Sequence, residues 1–131
     1  MRDEASPQSC RGVRGAAAVD VGEDGLGRAV GELLARLLGE NRAQASDVAA
    51  AIFTVPEDLR GSNPAAAART CGFKAVPLLV VREDGGDSRV PRCLRVLLLL
   101  NTPLTQAQVH HVYLGAAAEL RPDLLAFGEG R

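Results

Sequence analysis

The sequence contains very few aromatic residues. It has no tryptophan, a single tyrosine (Tyr113) and three phenylalanines in 131 residues, although 47% of its residues are hydrophobic. Alanine, valine and leucine must therefore supply nearly all of the core packing. Small side chains of this kind favour close approach of neighbouring backbones and of neighbouring subunits. The length indicates one domain with enough chain to bury a sizeable core.

The sequence also lacks the patterns of metal sites, disulfide frameworks and nucleic-acid-binding surfaces. Cys10, Cys71 and Cys93 are far apart and form no CxxC pair, while His110 and His111 are adjacent and cannot share a ligand face. The net charge of -1 comes from nearly balanced acids and bases without a basic cluster, which argues against a nucleic-acid partner. We therefore expect no metal, no cofactor and no nucleic acid.

No segment resembles a secretion signal or a membrane span. The N-terminus, MRDEASPQS, carries acids where a signal would be apolar, and the longest fully apolar run, VLLLL at 96–100, is far too short to cross a bilayer. We expect a cytoplasmic protein with no membrane partner. Residues 1–9 are expected to form a flexible tail, residues 10–125 a single domain, and residues 126–131 a C-terminal tail.

The hydrophobic periodicity alternates between strand-like and helix-like segments. Apolar residues at helical spacing predict one amphipathic helix within residues 24–41. Asn63 followed by Pro64 is typical of the start of a helix, and this second helix is predicted to have two turns, to end near Arg69 and to stop at Gly72. Strands are predicted at 10–19, 48–55, 75–83 and 91–101, with a further strand beginning near 109.

This order of elements indicates an α+β domain whose helices cover one face of a sheet. The other face also needs cover, because the predicted fourth strand is strongly apolar. Copies of the same chain arranged in a closed ring would cover this second face. The alternative is a monomer with a partly solvated antiparallel sheet.

Charged residues inside the predicted strands are the strongest functional signal. Arg11 and Arg14 are three residues apart, so their side chains should point to opposite faces. A charge directed toward a core requires a partner. Arg95 shares its face with Cys93 and Leu97, in a run where an apolar side chain is the ordinary expectation.

Two interpretations of Arg95 follow. It can form an ion pair across the strands with Glu83 or Asp84, or it can form an anion site together with Arg14. Guanidinium groups stay charged and present a planar fork that matches carboxylate oxygens. Two converging arginines would suit a small dicarboxylate.

Several motifs occur in the order and spacing of a known family, and they are RGVRGA, IFTVPEDL, NPAAAAR, VPLLVVRE, RCLRVLLLLN and HVYLGAAAELRPDL. With these motifs, about residues 10–125 resemble the trimeric α/β chorismate mutases, as distinct from the all-helical type. The resemblance implies a ferredoxin-like chain with a mixed sheet, one long helix and a short two-turn helix. It further implies a homotrimeric pseudo-barrel with an active site at each subunit interface.

The resemblance also implies roles for individual residues. Arg14 matches an arginine that binds a substrate carboxylate, and Tyr113 adds a hydroxyl to the same group, although a half-buried tyrosine with an ordinary partner is an equal alternative. Arg95 matches the arginine beside the ether oxygen, and Glu83 matches the acid that binds the ring hydroxyl. The catalytic candidates are therefore Arg14, Glu83 and Arg95.

Three further substrate-binding candidates come from the resemblance. Arg69 matches a residue near the site entrance, although a solvated cation at a helix end is the stronger interpretation of its position. Arg121 matches the mobile C-terminal part that closes over the site. Val80 occupies a position where the family usually has a small polar side chain. The substrate-binding candidates are thus Arg14, Arg69, Val80, Glu83, Arg95, Tyr113 and Arg121.

The implied reaction is the intramolecular rearrangement of chorismate to prephenate in aromatic amino acid biosynthesis, which needs no nucleophile, base or metal. Asn63, Ala66 and Val80 depart from the family pattern and leave alternatives open. One is a related enzyme with altered chemistry on chorismate or a similar dicarboxylate in a specialised pathway. Another is a non-catalytic trimer that binds such a ligand.

Overall fold

Five strands and two α-helices form the part of the chain that the computed structural model describes, residues 7–84 and 90–119. Three short 3₁₀ helices connect or follow them, at Ala45–Asp47, Glu57–Leu59 and Gly115–Glu119. In chain order the main elements are β1 (Ser9–Ala18), α1 (Gly25–Glu40), β2 (Val48–Val55), α2 (Pro64–Thr70), β3 (Leu78–Arg82), β4 (Cys93–Thr102) and β5 (Val112–Leu114).

The strands form one mixed sheet in the order β3-β2-β4-β1-β5. β4 lies in the centre and is antiparallel to both β1 and β2, whereas the outer strands run parallel to their neighbours, β5 to β1 and β3 to β2. The α+β architecture with a mixed sheet, one long helix and one two-turn helix is therefore confirmed. Within the described ranges, no helix is long and apolar enough to span a membrane.

Both helices pack against the same face of the sheet, which we call the helix-covered face. The apolar stripe of α1 is buried there, as its spacing predicts, and it meets alternate residues of the strands. Phe53 and Phe73 are the largest fully buried side chains of this core. Aliphatic residues fill the rest of it, including Val13, Val30, Leu33, Leu34, Leu37, Leu94, Leu98 and Leu100.

The predicted boundaries of α2 are confirmed. The Asn63 side chain accepts a hydrogen bond of 3.1 Å from the backbone N–H of Ala66, and Pro64 occupies the first turn, where a missing N–H costs nothing. After the helix, Gly72 has a φ of 97°, a left-handed conformation that glycine adopts without strain. These local signals set the ends of a seven-residue helix.

Two details of the sequence interpretation need correction. The fourth strand begins at Cys93, because Arg92 has a left-handed φ of 52° and donates through Nε to the carbonyl oxygen of Val19 at 2.9 Å. Arg92 therefore ends the preceding turn and does not belong to the strand. The last strand begins at Val112 and not near 109, and the chain continues after it as a 3₁₀ helix over Gly115–Glu119. Residues 85–89, between the predicted third and fourth strands, lie outside the described residues.

Candidate active site

The second face of the sheet, opposite α1 and α2, carries the candidate site, and we call it the open face. Alternation along the strands assigns to it Arg14 and Ala16 of β1, Ile52 and Thr54 of β2, and Arg95 and Leu97 of β4. A cavity of about 450 Å³ lies on this face, a size typical of sites for small molecules. The residues lining it are Arg14, Gly15, Ala16, Ile52, Thr54, Glu83, Arg95, Val96, Leu97 and Tyr113.

Four of the candidate site residues meet at this cavity because of strand register. Ala16 pairs with Arg95 of β4 on one side and with Tyr113 of β5 on the other. Arg14 lies two residues before Ala16 on the same face, and Glu83 directly follows β3. Sequence separations of up to about a hundred residues are thus reduced to neighbouring positions on one surface.

The two arginines of the opening strand separate as alternation predicts. Arg11 is half-buried on the helix-covered side, where its Nε donates to the carbonyl oxygen of Leu104 at 3.0 Å. Arg14 lies on the open face, where its side chain is exposed in the single chain and lines the cavity. Arg11 is therefore explained by a backbone partner, and Arg14 is the arginine left for a ligand.

Glu83 is held in place by three interactions. Its backbone N–H donates to the carbonyl oxygen of Val55 at 3.0 Å, which extends the β2-β3 pairing by one residue. The Thr54 hydroxyl donates to Glu83 Oε1 at 3.0 Å, and Arg95 Nε lies 3.5 Å from the same oxygen. The carboxylate retains a second oxygen for another donor. The ion pair considered for Arg95 therefore exists, and it lies inside the cavity.

Arg95 has donor capacity that the described residues leave unused. Its Nε is buried and has no hydrogen-bond partner among them, since the contact with Glu83 is at the upper limit for a hydrogen bond. Buried donors in native proteins are nearly always paired. The side chain as a whole is 36% exposed and faces the cavity. An acceptor on a bound molecule would complete the pairing of this guanidinium.

A small buried cluster underlies this part of the site. Cys93, two residues before Arg95 on the open face, packs with Ala16 and Val90 beneath Ala117 of the last 3₁₀ helix. Burial raises the pKa of the Cys93 thiol, although the charge of Arg95 opposes this shift. The thiol is therefore uncharged at neutral pH. The cavity lining then carries two cations and one anion, a balance that favours an anionic ligand.

Not every candidate residue reaches the cavity. Val80 pairs with Phe53 on the helix-covered face, so its side chain does not lie beside Glu83 as the sequence interpretation assumed. Alternation explains this, because residues three apart in a strand point to opposite faces. Arg69 is exposed at the end of α2, across the sheet from the cavity of its own chain. Arg121 lies outside the described residues.

The three departures from the family pattern do not line this cavity either. Asn63 caps α2, Ala66 donates the N–H that completes this cap, and Val80 faces away from the cavity. Conversely, Thr54 binds Glu83 but was not among the candidates. Its signal was present in the sequence, since it is the only hydroxyl-bearing residue in an otherwise apolar strand.

Metal ligands do not gather at this site. Across residues 7–84 and 90–119, no group of three or more histidine, cysteine, aspartate or glutamate residues is arranged to hold a metal ion. Cys10, Cys71 and Cys93 are all free thiols. The chemistry available in the described cavity is therefore that of two guanidiniums, one carboxylate and two hydroxyls on an apolar wall.

Comparison with known proteins shows the family to which the chain belongs. The family model for chorismate mutase type I matches residues 10–124. The chain belongs to the type I chorismate mutase family. It is 47% identical over 116 residues to Chorismate mutase AroH of Thermus thermophilus, covering 87% of this chain and 95% of that protein. It is 33% identical to Chorismate mutase AroH of Bacillus subtilis (strain 168), covering 87% and 91% of the two chains.

A solved structure supports the same assignment. The fold matches that of a chorismate mutase from Clostridium thermocellum with a TM-score of 0.76 and 31% sequence identity, over 82% of this chain and 97% of the other. The resemblance noted in the sequence motifs is thus confirmed for both family and fold. The protein is a chorismate mutase, an isomerase.

Proposed function

We propose that the cavity on the open face binds chorismate and converts it to prephenate, for aromatic amino acid biosynthesis in the cytoplasm. The observation that carries the proposal is the Arg95 guanidinium, ion-paired with Glu83 through its buried Nε while the side chain stays 36% exposed in a cavity shared with Arg14. Chorismate carries two carboxylates, a ring hydroxyl and an ether oxygen. Two arginines and one carboxylate acceptor complement these groups.

The rearrangement breaks the C–O bond of the enolpyruvyl ether while a C–C bond forms to the ring, and no proton is transferred. Catalysis therefore consists of holding the enolpyruvyl arm over the ring and of stabilising the negative charge that develops on the ether oxygen. The Arg95 guanidinium, on a side chain that is 36% exposed and lines the cavity, is suited to donate to this oxygen. Because Glu83 and Thr54 already fix the guanidinium and its partner, little reorganisation accompanies the reaction.

The remaining described residues orient the substrate. Arg14 pairs with a carboxylate, and the Tyr113 hydroxyl contacts the same group. Glu83 accepts a hydrogen bond from the ring hydroxyl with the oxygen that Thr54 does not occupy. Ile52 and Leu97 provide an apolar wall that limits water in the site, which strengthens each of these charged contacts.

The proposed assembly is a homotrimer in which a neighbouring subunit completes each site. Large apolar side chains on the open side of the sheet support it, since Leu79 is 56% exposed, Leu97 38% and Val81 37% in the single chain. Exposed apolar surface of this kind is typical of subunit contacts. Arg69 lies across the sheet from its own cavity, so in this assembly it serves the site of a neighbour.

Purified protein incubated with chorismate tests the reaction, with the product identified by NMR. We expect prephenate as the product, and a different product would overturn the proposed chemistry. Sedimentation at micromolar concentration tests the assembly, with a trimer expected. A fully active monomer would contradict the shared site.

Mixing two variants tests whether subunits share a site. Arg95→Ala and Arg69→Ala trimers should each be strongly impaired. After unfolding and joint refolding, about a quarter of the interfaces should combine an intact Arg95 with an intact Arg69, and activity should return in proportion. Normal activity of Arg69→Ala, or no recovery of activity on mixing, would show that Arg69 is not part of the site.

A further inference from the structure

Among the residues that the structure describes, the edge of β1 beyond its pairing with β5 is bound by side chains and not by a strand. β5 pairs only with Gly15, Ala16 and Ala17. One residue before this pairing begins, the Arg14 N–H donates to His111 Nδ1 at 2.9 Å. Another two residues earlier, Gly12 N–H donates to Gln106 Oε1 at 3.1 Å and Gln106 Nε2 donates to the Gly12 carbonyl at 2.6 Å.

His111 belongs to a well-anchored connection between β4 and β5. Asn41, at the end of α1 and 2% exposed, holds the preceding residue from both sides. Its Oδ1 accepts from the His110 N–H at 2.7 Å, and its Nδ2 donates to the His110 carbonyl at 2.9 Å. Val109 is fully buried in the core. The long helix thus fixes the backbone from which His111 reaches Arg14.

The geometry points to His111 as a positioning residue for Arg14. This inference rests on the proposed role of Arg14 as the ligand of a substrate carboxylate. The hydrogen bond fixes the backbone of Arg14 in the plane of the sheet and thereby the direction in which its side chain leaves the strand. Since Nδ1 accepts, the ring proton is on Nε2. Small displacements of a group that positions the substrate weaken its contact in both the ground state and the transition state, so a fixed base for this long side chain raises kcat/KM.

Two substitutions at this position separate the acceptor from the bulk of the ring. In His111→Leu, a carbon replaces the accepting atom. In His111→Asn, Oδ1 occupies the corresponding position and still accepts a hydrogen bond. Gln106→Ala is the matched control, because it removes two hydrogen bonds from the same edge of β1 without touching Arg14.

We expect His111→Leu to lower kcat/KM for chorismate about five- to tenfold, mainly through KM, because a carboxylate contact is present in both ground and transition states. His111→Asn should restore kcat/KM to within about threefold, and Gln106→Ala should change KM less than about twofold. Equal effects of His111→Leu and Gln106→Ala, or no recovery in His111→Asn, would overturn the inference.

Amide hydrogen exchange at Arg14 provides a readout that does not depend on activity. Exchange should accelerate in His111→Leu and remain slow in His111→Asn, whereas unchanged exchange in His111→Leu would contradict the positioning contact itself. Arg14→Ala distinguishes the two proposals. Suppose that Arg14→Ala kept a normal KM while amide exchange in the His111 variants behaved as expected. The hydrogen bond would then be real, but Arg14 would not bind the substrate, and His111 would have no positioning role.

Discussion

The two faces of this sheet are formed by alternate residues of the same strands, yet they differ in almost every property. On the helix-covered face, Val13, Leu94 and Val96 are at most 4% exposed and pack against α1. On the open face, the positions between them carry Arg14 and Arg95, with polar contacts and a cavity. Folding of the single chain thus depends mainly on one face, while the proposed substrate site lies on the other.

Arg95→Lys should give the largest effect and is the strongest test of this division. Lysine keeps the charge but loses the planar fork and the Nε donor, so we expect kcat to fall about 10²- to 10³-fold while thermal unfolding stays nearly unchanged. Steady-state kinetics and circular dichroism measure the two quantities. Arg82→Lys, at an exposed arginine paired with Glu57, is the control and should stay within about twofold of the native kcat.

Near-normal turnover of Arg95→Lys in a correctly assembled protein would refute the role assigned to Arg95. A large loss of stability would instead show that the open face also supports the fold. Either result would contradict the division of roles between the two faces.

Gly15→Ala should show the reverse pattern. A Cβ at Gly15 would lie 2.8 Å from Leu37 Cδ1 and 3.0 Å from Val96 Cγ1, inside the packed core. We expect the free energy of unfolding to fall by about 1–3 kcal/mol, measured by urea denaturation at constant protein concentration. At temperatures where the variant is folded, kcat should remain close to native.

Gly12→Ala is the matched substitution on the open face. Its Cβ would meet Leu97 Cδ1 at 3.6 Å, an ordinary contact, so the change in stability should stay within about 0.5 kcal/mol. If Gly15→Ala destabilised the protein as little as Gly12→Ala, the core would be less tightly packed around Gly15 than these distances indicate.

Thr54→Val should have a moderate effect confined to activity. The substitution preserves the shape of the side chain but removes the donor to Glu83 Oε1, and we expect kcat/KM to fall about three- to tenfold. Thr70→Val removes a hydroxyl that donates to the Ala67 carbonyl at the end of α2, and it should leave kinetics unchanged. A similar loss in both variants would argue against a specific role for Thr54.

Cys93→Ala should give the smallest effect, a change in how stability depends on pH. Cys93 is a buried residue on the open face of the sheet. Its pKa is raised by burial, so the folded state binds the thiol proton more tightly than the unfolded state. This contribution to stability is complete below the ordinary thiol pKa of about 8.5 and is lost as pH rises above it. Unfolding midpoints from pH 7 to 10 should therefore decline less steeply in Cys93→Ala than in the native protein.

Cys10→Ala, at an exposed thiol, should reproduce the native pH dependence. An identical decline in Cys93→Ala and the native protein would assign the alkaline loss of stability to other groups.

Local sequence rules were sufficient for much of the fold and part of the site. The apolar stripe of α1, the Asn63 cap and the separation of Arg11 from Arg14 all depend on residues close in sequence, and alternation placed Arg95 on the correct face. The same rule also contained the correction for Val80, which lies an odd number of residues from Glu83.

The remaining features depend on long-range register, which local patterns do not encode. Gln106 and His111 complete the edge of β1 across more than ninety residues, and Asn41 reaches His110 across 69. Side chains that replace a strand leave no periodic signal, because a single amide or imidazole does the pairing. Such contacts become visible only when the sheet is assembled.

The strict alternation of Arg14 and Gly15 constrains how this gene can change in length. Inserting or deleting one codon within β1 would exchange the two faces, placing the guanidinium against Leu33 and Leu37 and a core side chain in the cavity. Two-codon changes would preserve the alternation but move Arg14 by two positions along the sheet, away from Arg95 of β4 and Tyr113 of β5. We therefore expect variation in length among natural relatives to fall in the connections, with β1 keeping a constant number of residues between Arg11 and Ala17.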